Sequence, residues 1–113
     1  MGELTKAGFL GALIPEEYGG SGLPLRAAAV ILEEINAAGC VASQGHAQMY
    51  IMGPLLRHGS EAQKRRFLPK IASGELRLQA FGVTEPTTGS DTTQLKTRAV
   101  RDGDSYLVTG QKV

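Results

Sequence analysis

The feature that most constrains this chain is a change of hydrophobic period near Gly74. Before it, apolar side chains return at three- and four-residue steps, the spacing of one helical face. Beyond it they fall in short runs broken by turn formers, the pattern of strands. From Pro24 to about Ala38, the residues Leu25, Ala28, Ala29, Leu32 and Ile35 form such a stripe. Pro24 suits a first helical turn and Gly39 the position just past the end. Residues 43–58 carry Ala47, Met49, Ile51, Met52, Leu55 and Leu56 so densely that burial over much of the helix is expected. Gly53–Pro54 should kink or split it, because proline removes a donor and crowds the preceding turn. Ser60 and Gln63 stand at capping-box spacing ahead of a run that Gly74 should stop. A short helix within residues 3–12 precedes these and leads into a loop enforced by Pro15, Gly19, Gly20, Gly22 and Pro24.

After Gly74, Leu76 to Thr84 reads as a strand entering a sheet, and "QLKTRAVRDGDSYLVTGQKV" as two strands around Asp102–Gly103. The fold class expected is α+β: about four helices over residues 1–75, then the first strands of an antiparallel sheet over 76–113. A chain of 113 residues, 42% of them hydrophobic, is long enough for one compact domain. It nevertheless stops at Val113 within a strand, leaving a sheet edge that domains avoid or cover. That predicts a fragment, or a subunit that a partner completes. No internal repeat and no low-complexity tract interrupts the pattern.

Charge excludes some partners. Twelve Lys and Arg against eleven Asp and Glu give a formal charge of +1, so no bulk field recruits nucleic acid or an anionic membrane. No stretch approaches the roughly 18 apolar residues of a membrane span. The opening "MGELTKAGFLGAL" has one base before its apolar residues, so a soluble, cytoplasmic chain without a targeting segment is expected. Cys40, the single cysteine, has no disulfide partner and no metal-ligand spacing, and His46 and His58 lack clustered ligands. No metal is expected. His58, beside Gly59, suits a helix C-terminus, and Lys64, Arg65 and Arg66 suit a solvated helix face.

One turn stands out. "FGVTEPTTGSD", residues 81–91, joins an apolar run to a proline corner and a cluster of small hydroxyl residues. Successive amides at Thr87–Thr88–Gly89–Ser90 can form a concave nest for phosphate, with the Ser90 hydroxyl as a further donor. Thr84, at the end of the run, can donate to a flat heterocycle. Thr, Gly, Ser and Asp are also ordinary turn formers, so a plain strand-to-strand connection fits the same residues. Glu85 and Asp91 flank the turn; bonds to loop amides suit them better than a paired acid and base.

The ordered set "IPEEYGGSGL", "GPLLRHGSEAQKRRFLPKIASGE", "FGVTEPTTGSD" and "AVRDGDSYLVTGQKV" resembles consecutive motifs of the acyl-CoA dehydrogenase family over essentially the whole chain. The resemblance implies the later part of an N-terminal helical domain, followed by the start of a middle β-barrel domain that continues beyond Val113. It also implies FAD as cofactor. On the matching positions, Thr84 would hydrogen-bond the isoalloxazine region, Gly89 and Ser90 would meet the pyrophosphate side, and Val83 with the backbone around Phe81 would line the flavin. Thr87 and Thr88 depart from the glycine and alanine frequent there, which bears on substrate preference. The family's aromatic-Ile-Thr/Ser-Asn stretch, a further flavin contact, is absent.

The reaction implied is α,β-dehydrogenation of an acyl-CoA thioester, with an electron-transfer acceptor downstream and a homo-oligomeric full-length protein. The family's catalytic base is a glutamate of the C-terminal region, so no catalytic residue is assigned in this chain. Two alternatives share the motifs: another flavoenzyme of the same fold, such as an acyl-CoA oxidase or flavin-dependent monooxygenase, and a truncated, non-enzymatic interaction module.

Overall fold

The computed structural model describes residues 2–78 and 80–113. The chain divides into two compact units, one ending at Ala80 and the other beginning at Phe81. The first is helical: α1 (Gly2–Lys6), α2 (Leu25–Ala37), α3 (Ser43–His58) and α4 (Glu61–Ser73), with 3-10 turns at Phe9–Gly11 and Glu16–Tyr18. The second holds a 3-10 turn at Thr92–Gln94 and two strands, β1 (Arg98–Asp102) and β2 (Ser105–Thr109). Four helices followed by an antiparallel pair is the α+β architecture expected from the change of period.

Local signals placed the helix ends. Ser60 accepts from the Gln63 amide while the Gln63 side chain accepts from the Ser60 amide, so the capping box forms as a reciprocal pair. Past α2, the amides of Gly39 and Cys40 bond the carbonyls of Asn36 and Ile35, which satisfies two orphan acceptors. The core of the helical unit is Ile14, Tyr18, Ala28, Met49, Met52, Leu68 and Ile71. On α3, Gly45, Gln48, Met49 and Met52 form the buried face. Helix α3 contacts both α2 and α4.

The proline- and glycine-rich loop completes that core. Ile14 is fully buried and Tyr18 nearly so, and the Tyr18 hydroxyl donates to Glu61 Oε2 at 2.9 Å. The chain then folds back so tightly that a Cβ on Gly20 would strike the Ile14 carbonyl and stand 2.6 Å from the Gly11 oxygen. Only glycine fits there.

Three expectations change. Helix α3 is not split: it runs through Pro54, and α4 likewise holds Pro69, each losing one ladder bond while its packed face is kept. Leu25 and Ala29 of α2 are exposed, because α2 buries a narrower stripe around Ala28. The run from Leu76 to Thr84 carries no strand among its described residues, and Gln79 lies outside them. Leu76 and Leu78 do alternate as a strand would, yet they pack against the helical core. Farther along, the Thr84 carbonyl accepts a bond from the Val113 amide, without a ladder. A strand needs a paired neighbour as well as alternation.

The hairpin forms with Asp102 opposite Ser105, so its two loop residues are Gly103 and Asp104. Gly103 has φ +59 and, among the described residues, no non-glycine has positive φ, which fits a type II′ turn. Both strands are exposed along their length.

Candidate functional site

The residues at issue lie at the start of the second unit. Glu85 and Thr88 exchange two backbone hydrogen bonds, N to O at 2.8 and 3.0 Å, closing a turn whose central residues are Pro86 and Thr87. Neither has positive φ, so the turn is type I, with proline at its preferred position. Thr84 and Gly89 each stand one position beyond the Glu85–Thr88 bridge, on opposite arms of the turn. Ser90 follows on one arm; Val83 precedes on the other, half-buried, with Phe81 two residues farther out and exposed.

The carboxylate of Glu85 holds this arrangement. Its side chain is 4% exposed. Oε2 accepts from the Lys96 amide at 2.7 Å, and Oε1 from the Thr97 amide at 2.9 Å, the Thr97 hydroxyl at 2.6 Å and Lys112 Nζ at 2.9 Å. The Lys112 ammonium also donates to the Val83 carbonyl at 3.0 Å. The Thr97 hydroxyl, then the Lys96 amide, Lys112 and the Thr97 amide, hold the Glu85 carboxyl down at about 2. Asp91 accepts from the hydroxyl and amide of Thr93 at 2.5 and 3.1 Å, which lowers its carboxyl as well and starts the Thr92–Gln94 turn. Both carboxylates are therefore ionised acceptors near neutral pH, with no proton to give as a general acid.

The donors of the turn are left over. The hydroxyls of Thr84, Thr87 and Ser90, and the amides of Thr87, Gly89 and Ser90, have no hydrogen-bond partner among the described residues. The nest is only partly formed: the Thr88 amide is spent on Glu85, and no residue from Thr87 to Ser90 has positive φ. A Cβ on Gly89 would meet nothing within 4 Å, so the backbone there is open to close approach. Exposed donors around an accessible glycine fit the phosphate and carbonyl oxygens of a nucleotide cofactor.

Two concavities lie elsewhere. An apolar groove of about 600 Å³ within the helical unit is lined by Phe9, Val30, Ile31, Ile35 and Val41, with Glu34 and Cys40 also on its wall. A smaller hollow of about 270 Å³ on the hairpin has Lys96 and Arg98 over Val100 and Leu107. Neither includes a residue expected from the sequence to contact cofactor. His46 packs its ring 5.1 Å from that of Tyr50, and no cluster of three metal-ligating side chains occurs among the described residues.

Sequence reasoning gave Glu85 and Asp91 bonds to loop amides, which form, but not the distant partners that clamp Glu85. Glu85 is drawn into the site by groups 11, 12 and 27 residues away, and no local spacing encodes that. The one available signal was an acid inside an otherwise apolar and hydroxyl-bearing run, where burial requires partners.

The family model described as "Acyl-CoA dehydrogenase, N-terminal domain" matches residues 1–75. The acyl-CoA dehydrogenase FadE12 of Mycobacterium tuberculosis is 41% identical over 112 residues, covering 98% of this chain and 29% of that protein. The crystal structure of an acyl-CoA dehydrogenase from Geobacillus kaustophilus superposes with a TM-score of 0.82 at 36% identity, over 98% of this chain and 29% of the other. An acyl-CoA dehydrogenase from Bacillus anthracis, solved in complex with FAD, superposes with a TM-score of 0.71 at 35% identity, over 97% and 20% of the two chains. The chain thus spans under a third of the length of these relatives. With the helical match, the ordered motifs and the same backbone course at this level of identity, the chain belongs to the acyl-CoA dehydrogenase family.

Proposed function

We propose that this chain is part of an FAD-dependent acyl-CoA dehydrogenase, with residues 1–75 a portion of its helical domain and 76–113 the start of its middle β domain. The observation that carries the cofactor reading is the turn at 84–90: unspent hydroxyls and amides around an accessible glycine, held by a buried ionised carboxylate. In this reading Thr84 donates to the flavin ring system, Gly89 and Ser90 receive the pyrophosphate side, and Val83 and Phe81 line the ring.

FAD, when bound, would supply the hydride acceptor for α,β-dehydrogenation of an acyl-CoA thioester, a reaction that also needs a base for the α proton. The chain's own part is binding and orientation. Neither Glu85 nor Asp91 is that base, since each is committed to several donors. The same family reading assigns the parent an external electron acceptor and a homo-oligomeric assembly.

The test uses the purified full-length protein. Expected are the visible absorption bands of bound flavin, which bleach under anaerobic conditions when a suitable acyl-CoA is added. A colourless protein that fails to take up added FAD and leaves every acyl-CoA tried unchanged would sink the proposal.

A further inference from the structure

Glu85 carries more hydrogen bonds than a loop acid needs. Its main chain closes the turn with Thr88, and its side chain collects donors from Lys96, Thr97 and Lys112. The neighbouring carbonyls are fixed from the same side: Val83 accepts from Lys112 Nζ, and Thr84 from the Val113 amide. The arm that leads into the turn is therefore tied down, and the other arm is joined to it through the Glu85–Thr88 pair. What stays unspent are the donors of Thr84, Thr87, Gly89 and Ser90.

We infer that Glu85 is a positioning residue for the flavin, fixing the Val83–Thr88 segment so that Thr84, Gly89 and Ser90 present their free donors together. The inference rests on the FAD reading above. Glu85 touches no ligand itself; it acts through the backbone of its own turn. Gly110 is built into the same clamp, because a Cβ there would collide with the Thr97 hydroxyl and lie 2.8 Å from the Thr97 Cβ. The close passage of residue 110 over Thr97 keeps the threonine where its hydroxyl reaches Oε1.

The chemistry of the clamp dictates the probe. Glu85→Gln keeps size and polarity but has one acceptor oxygen and one donor nitrogen. If the amide oxygen takes the place of Oε1, its NH₂ faces the Lys96 amide at a 2.7 Å position, donor against donor. If it is turned over, the NH₂ faces three donors instead. A gentler second variant, Thr97→Val, removes only the hydroxyl at nearly constant volume.

The experiment compares wild type, Glu85→Gln and Thr97→Val in the full-length protein by FAD titration, the visible spectrum of the bound flavin, and amide exchange followed by mass spectrometry. Expected for Glu85→Gln is faster exchange in peptides covering Lys96 and Thr97, unchanged exchange in α2 to α4, a shifted flavin spectrum and FAD binding weakened by about tenfold or more. Thr97→Val should show the same changes, smaller. If wild type holds flavin while both variants bind it with wild-type affinity and spectrum, the positioning role is overturned even where exchange accelerates. If wild type takes up no flavin, the cofactor reading itself fails and the inference falls with it.

Discussion

The ammonium of Lys112 stands 2.9 Å from the carboxylate of Glu85, 27 residues earlier in the chain, and joins two ends of the second unit. Their exposures differ: the lysine side chain is one-third open to solvent, the glutamate almost closed. Ionisation of Glu85 is what keeps the lysine and the Lys96 and Thr97 amides in place. Its ordinary value of 4.5 is lowered to about 2 in the folded chain. A depressed carboxyl contributes stability that is fully present above its unfolded value and is lost as pH falls through the folded one. The gap in melting temperature between wild type and Glu85→Gln should therefore be constant down to about pH 5 and close between about pH 4.5 and 2. Melts across that range check this; a gap that has closed by about pH 5 contradicts it.

Gly20 supports a steeper claim. Its missing Cβ leaves room for the Ile14 carbonyl and the Gly11 oxygen, both backbone atoms that cannot swing aside. Gly20→Ala should cost about 3 kcal/mol or more, since the loop must open and withdraw Ile14 and Tyr18 from the core. Gly53→Ala is the counterpart: beyond its chain neighbours a Cβ there would meet nothing within 4 Å, so its cost is confined to crowding against Pro54 and should stay within about 1 kcal/mol. Urea melts should show Gly20→Ala as much the more destabilised of the two.

The capping box at the start of α4 gives a smaller effect. Ser60 Oγ accepts from the Gln63 amide at 3.3 Å, and Gln63 Oε1 from the Ser60 amide at 2.9 Å. Ser60→Ala orphans the first of these amides and should cost about 1 kcal/mol, whereas Ser60→Gly should cost only a few tenths. Chemical denaturation with both variants checks the order; an alanine milder than the glycine would mean the serine does not cap.

Legibility followed the range of the interaction. Ser60 and Gln63, the stops at Gly39 and Gly74, and the hairpin at Gly103 depend on partners within a few residues, so spacing revealed them. Leu76 and Leu78 were misjudged because alternation records which side chains share a face and not what covers it; here helices do. Gln48 was passed over on α3, yet it is almost fully buried and bonds the Leu10 carbonyl across 38 residues. The proposed cofactor turn rests on its types of residue, Thr84, Gly89 and Ser90, which the sequence shows directly. Glu85 was legible as an acceptor of loop amides, but its particular partners at 96, 97 and 112 were not, because they meet it through the fold.

Gly89 separates the cofactor reading from a purely structural turn. Its φ is not positive, and a Cβ there would touch nothing within 4 Å, so the chain itself has no need of glycine at this position. Gly89→Ala should leave folding stability within about 0.5 kcal/mol of wild type. A ligand that approaches the backbone closely would need that space, and a methyl group would hold its oxygens away from the amides of Gly89 and Ser90. In the full-length protein, Gly89→Ala should therefore weaken FAD binding by about tenfold or more while the melting temperature of the flavin-free form stays put. Wild-type FAD affinity in a normally folded Gly89→Ala protein would remove Gly89 from the site, and the turn would then be a connection that happens to be rich in hydroxyls.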